Sequence, residues 1–210
     1  VSIFDGLLIL SQIKSRQVFI FATHGNDGRM LNWKNNEIND ARNLQSTFPL
    51  STIVVTWGDQ ACGGNSNNVQ NQLHNIKMIY STDTAFAALK NNGTVVTWGN
   101  QTSGGDSNNV QNQLHNIKMI YSTTRAFAAL KNDGTVVTWG IQDYGGDSNN
   151  VQTQLHNIKM IYATDSAFAA LKNDGTVVTW GHQNGSGDSN NVQNQLQNIK
   201  MIYSTRDAFV

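Results

Sequence analysis

Charged residues, cysteine and proline are all scarce in this sequence of 210 residues. Charged side chains make up 13% of the chain and balance to a formal net charge of zero. A domain that binds the phosphates of nucleic acid is normally basic, so we expect no nucleic-acid partner. No apolar run, including residues 7–10, approaches the roughly 20 residues that span a bilayer, so we expect no direct membrane span.

The single cysteine, Cys62, cannot form an internal disulfide. Cysteine usage therefore does not indicate whether the protein occupies an oxidising or a reducing compartment. The single proline, Pro49, excludes a proline-rich linker, and a hydrophobic content of 39% argues against a disordered chain. Amides take the place of charges, with 28 Asn and 16 Gln in the sequence. The length indicates one domain, and the composition gives it a solvent-exposed surface rich in uncharged amides.

An internal repeat with a period of 41 residues dominates the sequence. The residues that keep this interval include Trp57, Trp98, Trp139, Trp180, Tyr80, Tyr121, Tyr162 and Tyr203. A period near 40 with glycine punctuation and short runs of β-forming residues is typical of propeller blades or of a solenoid.

Each repeat unit contains three predicted strands, which in the first complete unit are residues 75–81, 85–90 and 94–98. The sequence Asn91-Asn92-Gly93 predicts a tight turn between the second strand and the third. Residues 106–109 are expected to cap a short helical turn at 110–114; a fourth strand there is the alternative, although its residues are polar. We therefore predict an all-β fold, a β-propeller, closed or partial, with mainly three-stranded blades of 41 residues.

A three-stranded unit of this size cannot bury its apolar face alone, so consecutive units must cover one another. The side chains expected to fill the wedge between neighbouring blades are Ile76, Met78, Phe86, Leu89 and Trp98. The repeated tryptophans are therefore interpreted as core residues and not as a platform on which bases or sugars stack.

The run Ala-Phe-Ala-Ala-Leu-Lys-Asn-Asp-Gly-Thr-Val-Val-Thr-Trp-Gly, at residues 126–140 and 167–181, resembles the regulator-of-chromosome-condensation repeat. In length, the unit is similar to the blades of propeller-type β-lactamase inhibitors, and similar arrays occur in proteins of marine bacteria and dinoflagellate-type algae. The resemblance implies a β-propeller, which in this family usually closes seven blades. Exchange activity on a small GTPase and β-lactamase inhibition both occur in the family, but no residue motif carries either activity to this chain.

Residues 1–50 are predicted to form a degenerate blade with a shortened connection, followed by regular propeller repeats at residues 51–210. Residues 21–33 align without gaps on residues 86–98 and keep Phe, Asn, Gly and Trp. Terminal repeats are often atypical because they cap an array.

The repeats have one route to a closed ring. The strand expected at residues 52–57 would complete the blade begun by residues 199–209, which joins the two ends as in closed propellers. Without this pairing the chain forms an open arc, whose exposed edges need a partner.

Differences among the repeat units concentrate at two places, which makes these positions candidates for a partner-binding face. After the Trp-Gly pair, the variable residues are Asp59, Ala61, Cys62, Asn100, Thr102, Ser103, Ile141, Asp143, Tyr144, His182 and Asn184. Between the first and second strands, they are Asp83, Thr84, Thr124, Arg125, Asp165, Ser166, Arg206 and Asp207. Because the strands are antiparallel, both loops are expected to leave each blade at the same end.

The expected anchors on this face are Arg125, Ile141, Tyr144 and Arg206, since Tyr and Arg are enriched at binding hot spots. The alternative interpretation is that the loops are surface positions that merely tolerate change. Comparison of the units with one another does not choose between the two.

The sequence contains no pattern typical of an enzyme, a metal site or a cofactor site. It has no nucleophile–base motif, phosphate-cradling loop or dinucleotide fingerprint, so we predict no catalysis and no cofactor. His74, His115 and His156 repeat every 41 residues, but equivalent positions on neighbouring blades are too far apart to share a zinc ion, whose ligands lie about 2 Å away. We therefore expect no metal.

The predicted function is that of a non-catalytic protein-binding propeller module, which uses its variable loop face to bind one or more protein partners. A large complex is one setting for such a partner. The alternative is a structural or accessory subunit of a larger protein assembly, held there by blade edges and by the N-terminal segment.

Overall fold

The computed structural model describes residues 7–13, 16–22, 52–183 and 186–210, and these contain four three-stranded antiparallel sheets. The first sheet consists of β1 (Leu7–Ile13), β2 (Arg16–Ala22) and β3 (Thr52–Val55), with β1 in the centre. The degenerate blade predicted at residues 1–50 falls mostly outside the described residues, and that division of the chain stays a prediction.

β3 pairs with β1, with Thr52 opposite Ser11 and Val55 opposite Leu8. The predicted pairing of residues 52–57 with residues 199–209 is therefore wrong, and the sheets of the described residues do not close into a ring. β1 is much nearer to β3 along the chain than residues 199–209 are, so its pairing with β3 costs less loop-closure entropy.

Three regular blades follow, and they form a partial propeller. The first blade contains β4 (Ile76–Ser81), β5 (Ala85–Lys90) and β6 (Val95–Gly99). The second contains β7 (Ile117–Ser122), β8 (Ala126–Lys131) and β9 (Val136–Gly140). The third contains β10 (Ile158–Ala163), β11 (Ala167–Lys172) and β12 (Val177–Gly181). The predicted all-β class and three-stranded blades are confirmed.

The tight turn between β5 and β6 forms as predicted. The Gly93 N–H donates to the Lys90 carbonyl at 2.9 Å, and Gly93 has a φ of 80°, which favours glycine because it has no Cβ. The turn sets the register that places Phe86 opposite Trp98, and their rings stack with centroids 5.1 Å apart.

A β-bulge in the first strand of each of the three regular blades overturns one core prediction. In β4, Ile76 pairs with Lys90 and Met78 pairs with Leu89, so Lys77 is an extra residue that inverts the alternation of side chains. Ile79 is buried in consequence, while Met78 is only half-buried. Met119 and Met160, at the equivalent positions, are 40% and 41% exposed. Met78 was therefore wrongly assigned to the core.

The other residues predicted for the core do pack between consecutive blades. Leu89 of the first blade joins a buried cluster with Phe127 and Trp139 of the second. Trp98 faces the opposite way and packs with Val54 of β3. Each blade therefore buries both faces of its sheet against its neighbours, as stacked repeats require.

The tryptophans also form a hydrogen bond across each interface. The Trp139 Nε1–H donates to the Gly104 carbonyl at 3.0 Å, and Trp98 makes the same bond to Gly63. Both carbonyl-bearing glycines are buried and lie in the loop that follows the third strand of the preceding unit. The indole N–H therefore connects neighbouring blades in addition to the apolar packing.

The crossovers between sheets contain short helical turns, at Gln60–Cys62, Gln70–Gln72, Gln101–Gly105, Gln111–Gln113, Gln142–Tyr144, Gln152–Gln154 and Gln193–Gln195. The turn predicted at residues 110–114 is confirmed, but its capping is not. Asp106 Oδ1 accepts from the Asn108 N–H, and the Val110 N–H donates to the Ser107 carbonyl, so a backbone turn replaces the expected side-chain cap.

A relay of polar side chains covers the outer edge of each third strand. Beside β6, Thr97 Oγ1 and Ser107 Oγ lie 2.9 Å apart, and Ser107 Oγ donates to Gln111 Oε1. Gln111 Nε2 then donates to the Val95 carbonyl at 3.1 Å. The same glutamine bond recurs at Gln70, Gln152 and Gln193. The crossover thereby satisfies an edge carbonyl that a fourth strand would otherwise bind.

The last part of the chain begins another antiparallel pair, with Ser204 bridged to Phe209. The Tyr203 N–H donates to the Val210 carbonyl at 2.7 Å, and the Val210 N–H donates back at 2.9 Å. Ile202 lies in a buried cluster with Leu171 and Val177 of the third blade. Within the described ranges, no helix is both long enough and apolar enough to cross a membrane.

Candidate functional site

The loops between the first and second strands meet where successive blades converge, and we call them the inner loops (residues 82–84, 123–125, 164–166 and 205–207). The Asp83 N–H donates to the Thr124 carbonyl at 2.9 Å. In the same way, Thr124 donates to Asp165 and Asp165 donates to Arg206, each at 2.9 Å. Residues 41 positions apart are thus in direct contact, and the inner loops form one continuous backbone ladder across the blades.

The loops that follow the third strands, which we call the outer loops (residues 59–62, 100–103, 141–144 and 182–183), lie beside the inner loops. Within each regular blade, one outer-loop N–H donates to one inner-loop carbonyl: Asn100 to Thr84 at 2.8 Å, Ile141 to Arg125 at 3.0 Å and His182 to Ser166 at 3.0 Å. The two variable segments of each regular blade therefore lie side by side at the same end of the sheet.

Three buried threonines, Thr82, Thr123 and Thr164, hold the inner loops in place. In the second blade, Thr123 Oγ1 accepts from the Ala126 N–H at 3.0 Å and donates to the Tyr144 carbonyl at 2.9 Å. This hydroxyl joins the inner loop to the outer loop. Sequence reasoning missed these threonines, although their identity in every unit, directly before a variable pair, was a usable signal.

Two of the expected anchors make contacts of their own on this face. The Arg125 guanidinium lies over the Tyr144 ring, 5.3 Å from its centroid, so an inner-loop cation packs on an outer-loop aromatic ring. The Arg206 Nε lies 2.9 Å from Asp165 Oδ2 on the neighbouring inner loop and 3.9 Å from Asp207 Oδ2. The Arg206 side chain is 80% exposed, so this ion pair is screened by solvent and contributes little to stability.

The predicted face residues differ in their exposure to solvent. Those that are exposed are Asp59, Ala61, Asp83, Thr102, Arg125, Asp143, His182, Arg206 and Asp207. Those that are half-buried are Cys62, Thr84, Asn100, Thr124, Ile141, Tyr144, Asp165 and Ser166. Ser103 is buried beneath the loops, where its carbonyl accepts from Thr82 Oγ1 at 3.2 Å, and Asn184 lies outside the described residues.

Charge is distributed unevenly between the two ends of the blades. The loop face carries five aspartates, Asp59, Asp83, Asp143, Asp165 and Asp207, against two arginines. Every lysine in residues 52–210 lies near the start of a first strand or the end of a second strand: Lys77, Lys90, Lys118, Lys131, Lys159, Lys172 and Lys200. The loop face is therefore acidic and free of lysine, and the opposite end is rich in lysine.

Two tyrosines of the first strands reach the next blade. Burial raises the pKa of Tyr80, against the opposing effect of a backbone hydrogen bond with Ile120. Burial likewise raises the pKa of Tyr121, which has a backbone hydrogen bond with Ile161. In the part of the chain that the structure describes, no three His, Cys, Asp or Glu side chains come together as a metal site would require.

Comparison with known proteins identifies similar structures but no family. No protein-family model and no curated protein matches the chain. Yeast RCC1 (Prp20), in its crystal structure with Kap60, is 22% identical over 50% of this chain and 29% of that chain, with a TM-score of 0.37. Prp20p from Saccharomyces cerevisiae in a second structure is 20% identical over 50% of this chain and 30% of that chain, with a TM-score of 0.37.

Human WBSCR16 is also similar, at 17% identity over 65% of this chain and 44% of that chain, with a TM-score of 0.43. The matched part spans less than half the length of the chain in each of these three structures. The strand pairing and the packing of the blades, described above, define the partial propeller independently of these similarities.

Proposed function

We propose that this protein is a non-catalytic module that binds a protein partner through the face formed by its inner and outer loops. One observation carries the proposal. The two loops in which differences among the repeat units concentrate are the loops that backbone hydrogen bonds gather at one end of the blades. A rigid scaffold that presents varied loops on one face is a common arrangement for recognition, because the loops can change without disturbing the sheets.

The residue types on this face also support a protein interface. Arginine and tyrosine are enriched at binding hot spots, whereas lysine is depleted from interfaces. The face contains the stacked pair of Arg125 and Tyr144 together with Arg206, and every lysine of residues 52–210 lies elsewhere. Because aspartates outnumber arginines on the face, we expect the partner to present a basic surface.

Yeast Prp20 has been crystallised with Kap60, and its binding to Gsp1p and histones is described with the second structure. These partners belong to Prp20, and the present proposal takes none of them for this chain. It rests on the loop face alone.

Affinity capture with matched variants tests the proposal. The face variant carries Asp83→Ser, Arg125→Ser and Arg206→Ser, which remove exposed side chains but leave the backbone ladder in place. The control variant carries Lys77→Ser, Lys118→Ser and Lys159→Ser at the other end of the blades. The full chain and both variants are immobilised in equal amounts, and proteins retained from an extract of the source organism are quantified by mass spectrometry.

A partner retained by the full chain and by the lysine control, but reduced about 30-fold or more on the face variant, would support the loop face; this corresponds to hot-spot losses of about 2 kcal/mol. Equal retention on all three baits would contradict it. In that case, loss of the partner on deletion of residues 1–50 would favour the alternative, a subunit held by its edges and N-terminal segment.

A further inference from the structure

The two ends of the blades carry opposite charges. The loop face has five aspartates against two arginines, a formal charge of −3. The end with the hairpin turns, which we call the lysine end, has the seven lysines of residues 52–210 against two aspartates, Asp133 and Asp174, a formal charge of +5. The other three aspartates of residues 52–210 lie in the crossovers, where each accepts from the backbone N–H two residues on: Asp106, Asp147 and Asp188.

The charges at both ends are available to a partner. Each unit exposes one lysine near the start of its first strand: Lys77, Lys118, Lys159 and Lys200. Asp83 and Asp143 are exposed on the loop face. The ion pairs among the described residues are those of Arg206 with Asp165 and Asp207, so the exposed lysines and these two aspartates are unpaired there.

The charges lie in rows that the backbone holds with the same repeat at both ends. On the loop face, the Asp83 N–H donates to the Thr124 carbonyl of the next inner loop at 2.9 Å. At the lysine end, the Ile117 N–H donates to the Gly93 carbonyl of the preceding blade at 2.9 Å, which fixes the backbone beside Lys118, and the same bond recurs in the third blade. Because the same first strands connect the two ends, a copy displaced along these strands places its lysines over the inner loops of its neighbour.

The opposite charges of one chain are too far apart to neutralise each other. Lys77 and Asp83 lie at the two ends of β4 and are six residues apart, which corresponds to about 20 Å at about 3.3 Å per residue. At physiological ionic strength, salt screens exposed charges over about 8 Å. Contact between chains, by contrast, brings the two ends within this distance.

We propose that the loop face of one copy of this protein docks on the lysine end of a second copy. The inference rests on the proposed function, because it names the partner of the loop face. Two loop faces, or two lysine ends, would bring like charges together, so opposite ends meet. Such a contact joins two different surfaces, and when it repeats along the strand direction it builds an open stack of copies.

The composition of the lysine end determines the strength of this contact. Lysine is depleted from stable interfaces, and exposed ion pairs are individually weak and screened by salt. We therefore expect a weak association that increases with protein concentration and decreases with ionic strength. The competing occupant of the loop face is a different protein with a basic surface, in which case the purified chain is monomeric.

Sedimentation velocity of the purified full chain at about 20 mM and about 500 mM NaCl tests the proposal. The loop variant brings the loop face to a formal charge of zero with Asp83→Asn, Asp143→Asn and Asp207→Asn. The end variant brings the lysine end to +1 with Lys77→Gln, Lys118→Gln, Lys159→Gln and Lys200→Gln. All seven positions are exposed, and circular dichroism verifies that the variants are folded.

A crossover control makes the same chemical change, and the same change of net charge, as the loop variant, but away from both ends. It carries Asp106→Asn, Asp147→Asn and Asp188→Asn. Asparagine is compatible with this position, since Asn65 occupies it in the first unit and Asn65 Oδ1 accepts from the Asn67 N–H at 2.9 Å.

We expect the full chain and the crossover control to form oligomers at low salt that grow with concentration and dissociate at high salt. The loop variant and the end variant should each associate about tenfold more weakly or less, as the loss of three or four exposed ion pairs predicts. An equimolar mixture of these two variants should form a one-to-one dimer and nothing larger, because one unchanged loop face and one unchanged lysine end are then the only pair of opposite charge.

A full chain that is monomeric at low salt at every concentration would overturn this inference alone, and the affinity capture would then decide the proposed function. Copies of the chain itself are set aside in that capture, because a bait retains a copy through whichever end is unchanged. Undiminished association of the loop variant or of the end variant would also overturn the inference, as would a mixture of the two that forms no dimer.

Discussion

Replacing Trp139 by Phe should destabilise the protein by breaking the hydrogen bond between the second blade and the unit before it. The indole is 4% exposed, stacks on Phe127 with centroids 5.1 Å apart, and donates its N–H to the Gly104 carbonyl at 3.0 Å. Phenylalanine keeps the aromatic ring but removes the donor. The Gly104 carbonyl, which is buried, then has no partner from this side chain.

Two costs set the magnitude. A buried polar group left without its hydrogen bond costs about 1–3 kcal/mol, and the smaller ring adds about 1 kcal/mol of lost packing. The sum, about 2–4 kcal/mol, is a large fraction of the roughly 5–15 kcal/mol that stabilises a typical domain. At about 2–4 °C per kcal/mol for a chain of this size, the melting temperature should fall by roughly 5–15 °C.

Urea unfolding followed by circular dichroism measures this effect, and the chain contains a matched control. Trp57 occupies the equivalent repeat position but is 46% exposed, so Trp57→Phe should change the free energy of unfolding by less than about 0.5 kcal/mol. If Trp139→Phe and Trp57→Phe have equal effects, the hydrogen bond to Gly104 does not stabilise the interface, and the reasoning is refuted.

Three further predictions concern titration and the blade edge. Hydrogen bonds from the Thr135 hydroxyl and N–H hold the pKa of Asp133 below its ordinary value of 3.8, so the stability it contributes is present above pH 3.8 and is lost as the pH falls through the lower, folded-state pKa. Asp133→Asn should flatten this acid dependence in urea titrations. Burial raises the pKa of Tyr121 above 10.0. The stability that the neutral Tyr121 side chain contributes is therefore complete below pH 10.0 and is lost as the pH rises through the folded-state pKa. Tyr121→Phe should reduce this loss of stability at alkaline pH. Gln111→Ala should cost about 1 kcal/mol in urea unfolding, because the Val95 carbonyl at the blade edge loses its donor.

Equivalent positions supply the controls for these three predictions. Asn92 occupies the position of Asp133 in the first blade and accepts the same hydrogen bonds from Thr94 without titrating, so Asn92→Asp should introduce the acid dependence that Asp133→Asn removes. Tyr203 is 64% exposed, and Tyr203→Phe should change the free energy of unfolding at neutral pH by less than about 0.5 kcal/mol. Gln101 is exposed, and Gln101→Ala should leave the free energy of unfolding unchanged.

The sequence was sufficient to predict the blades because the same pattern of residues occurs in several units. Alternating apolar residues, a glycine turn and a tryptophan recur every 41 residues, so the strands and the inter-blade position of Trp98 were predictable. The bulge at Lys77 was not predictable, because no particular residue type is needed for the extra residue in the strand. It shifts the register by one residue, and that shift exchanges Met78 for Ile79 in the core.

The position of the variable loops was predictable from the sequence, but the hydrogen bonds that hold them were not. Antiparallel connectivity places both variable loops at one end of a blade, which follows from the order of the strands. The ladder from Asp83 to Arg206 could not be predicted, because it uses backbone atoms and therefore imposes no residue type. The role of Thr123 was accessible from the sequence only by examining the constant residues beside the variable ones.

This backbone ladder explains how the loop face can vary while the blades remain the same. The inner and outer loops are joined by main-chain hydrogen bonds and by a buried threonine hydroxyl, and the variable side chains are not needed for either. A substitution such as Asp83→Ser therefore changes the surface without removing any of the bonds that position it. The loops are thus positioned by backbone atoms and a buried hydroxyl, so the fold can be preserved when their exposed side chains change. The same argument requires Thr123→Val to be disruptive although Thr123 is buried beneath the variable positions, since valine keeps the shape but loses the hydroxyl that joins the two loops.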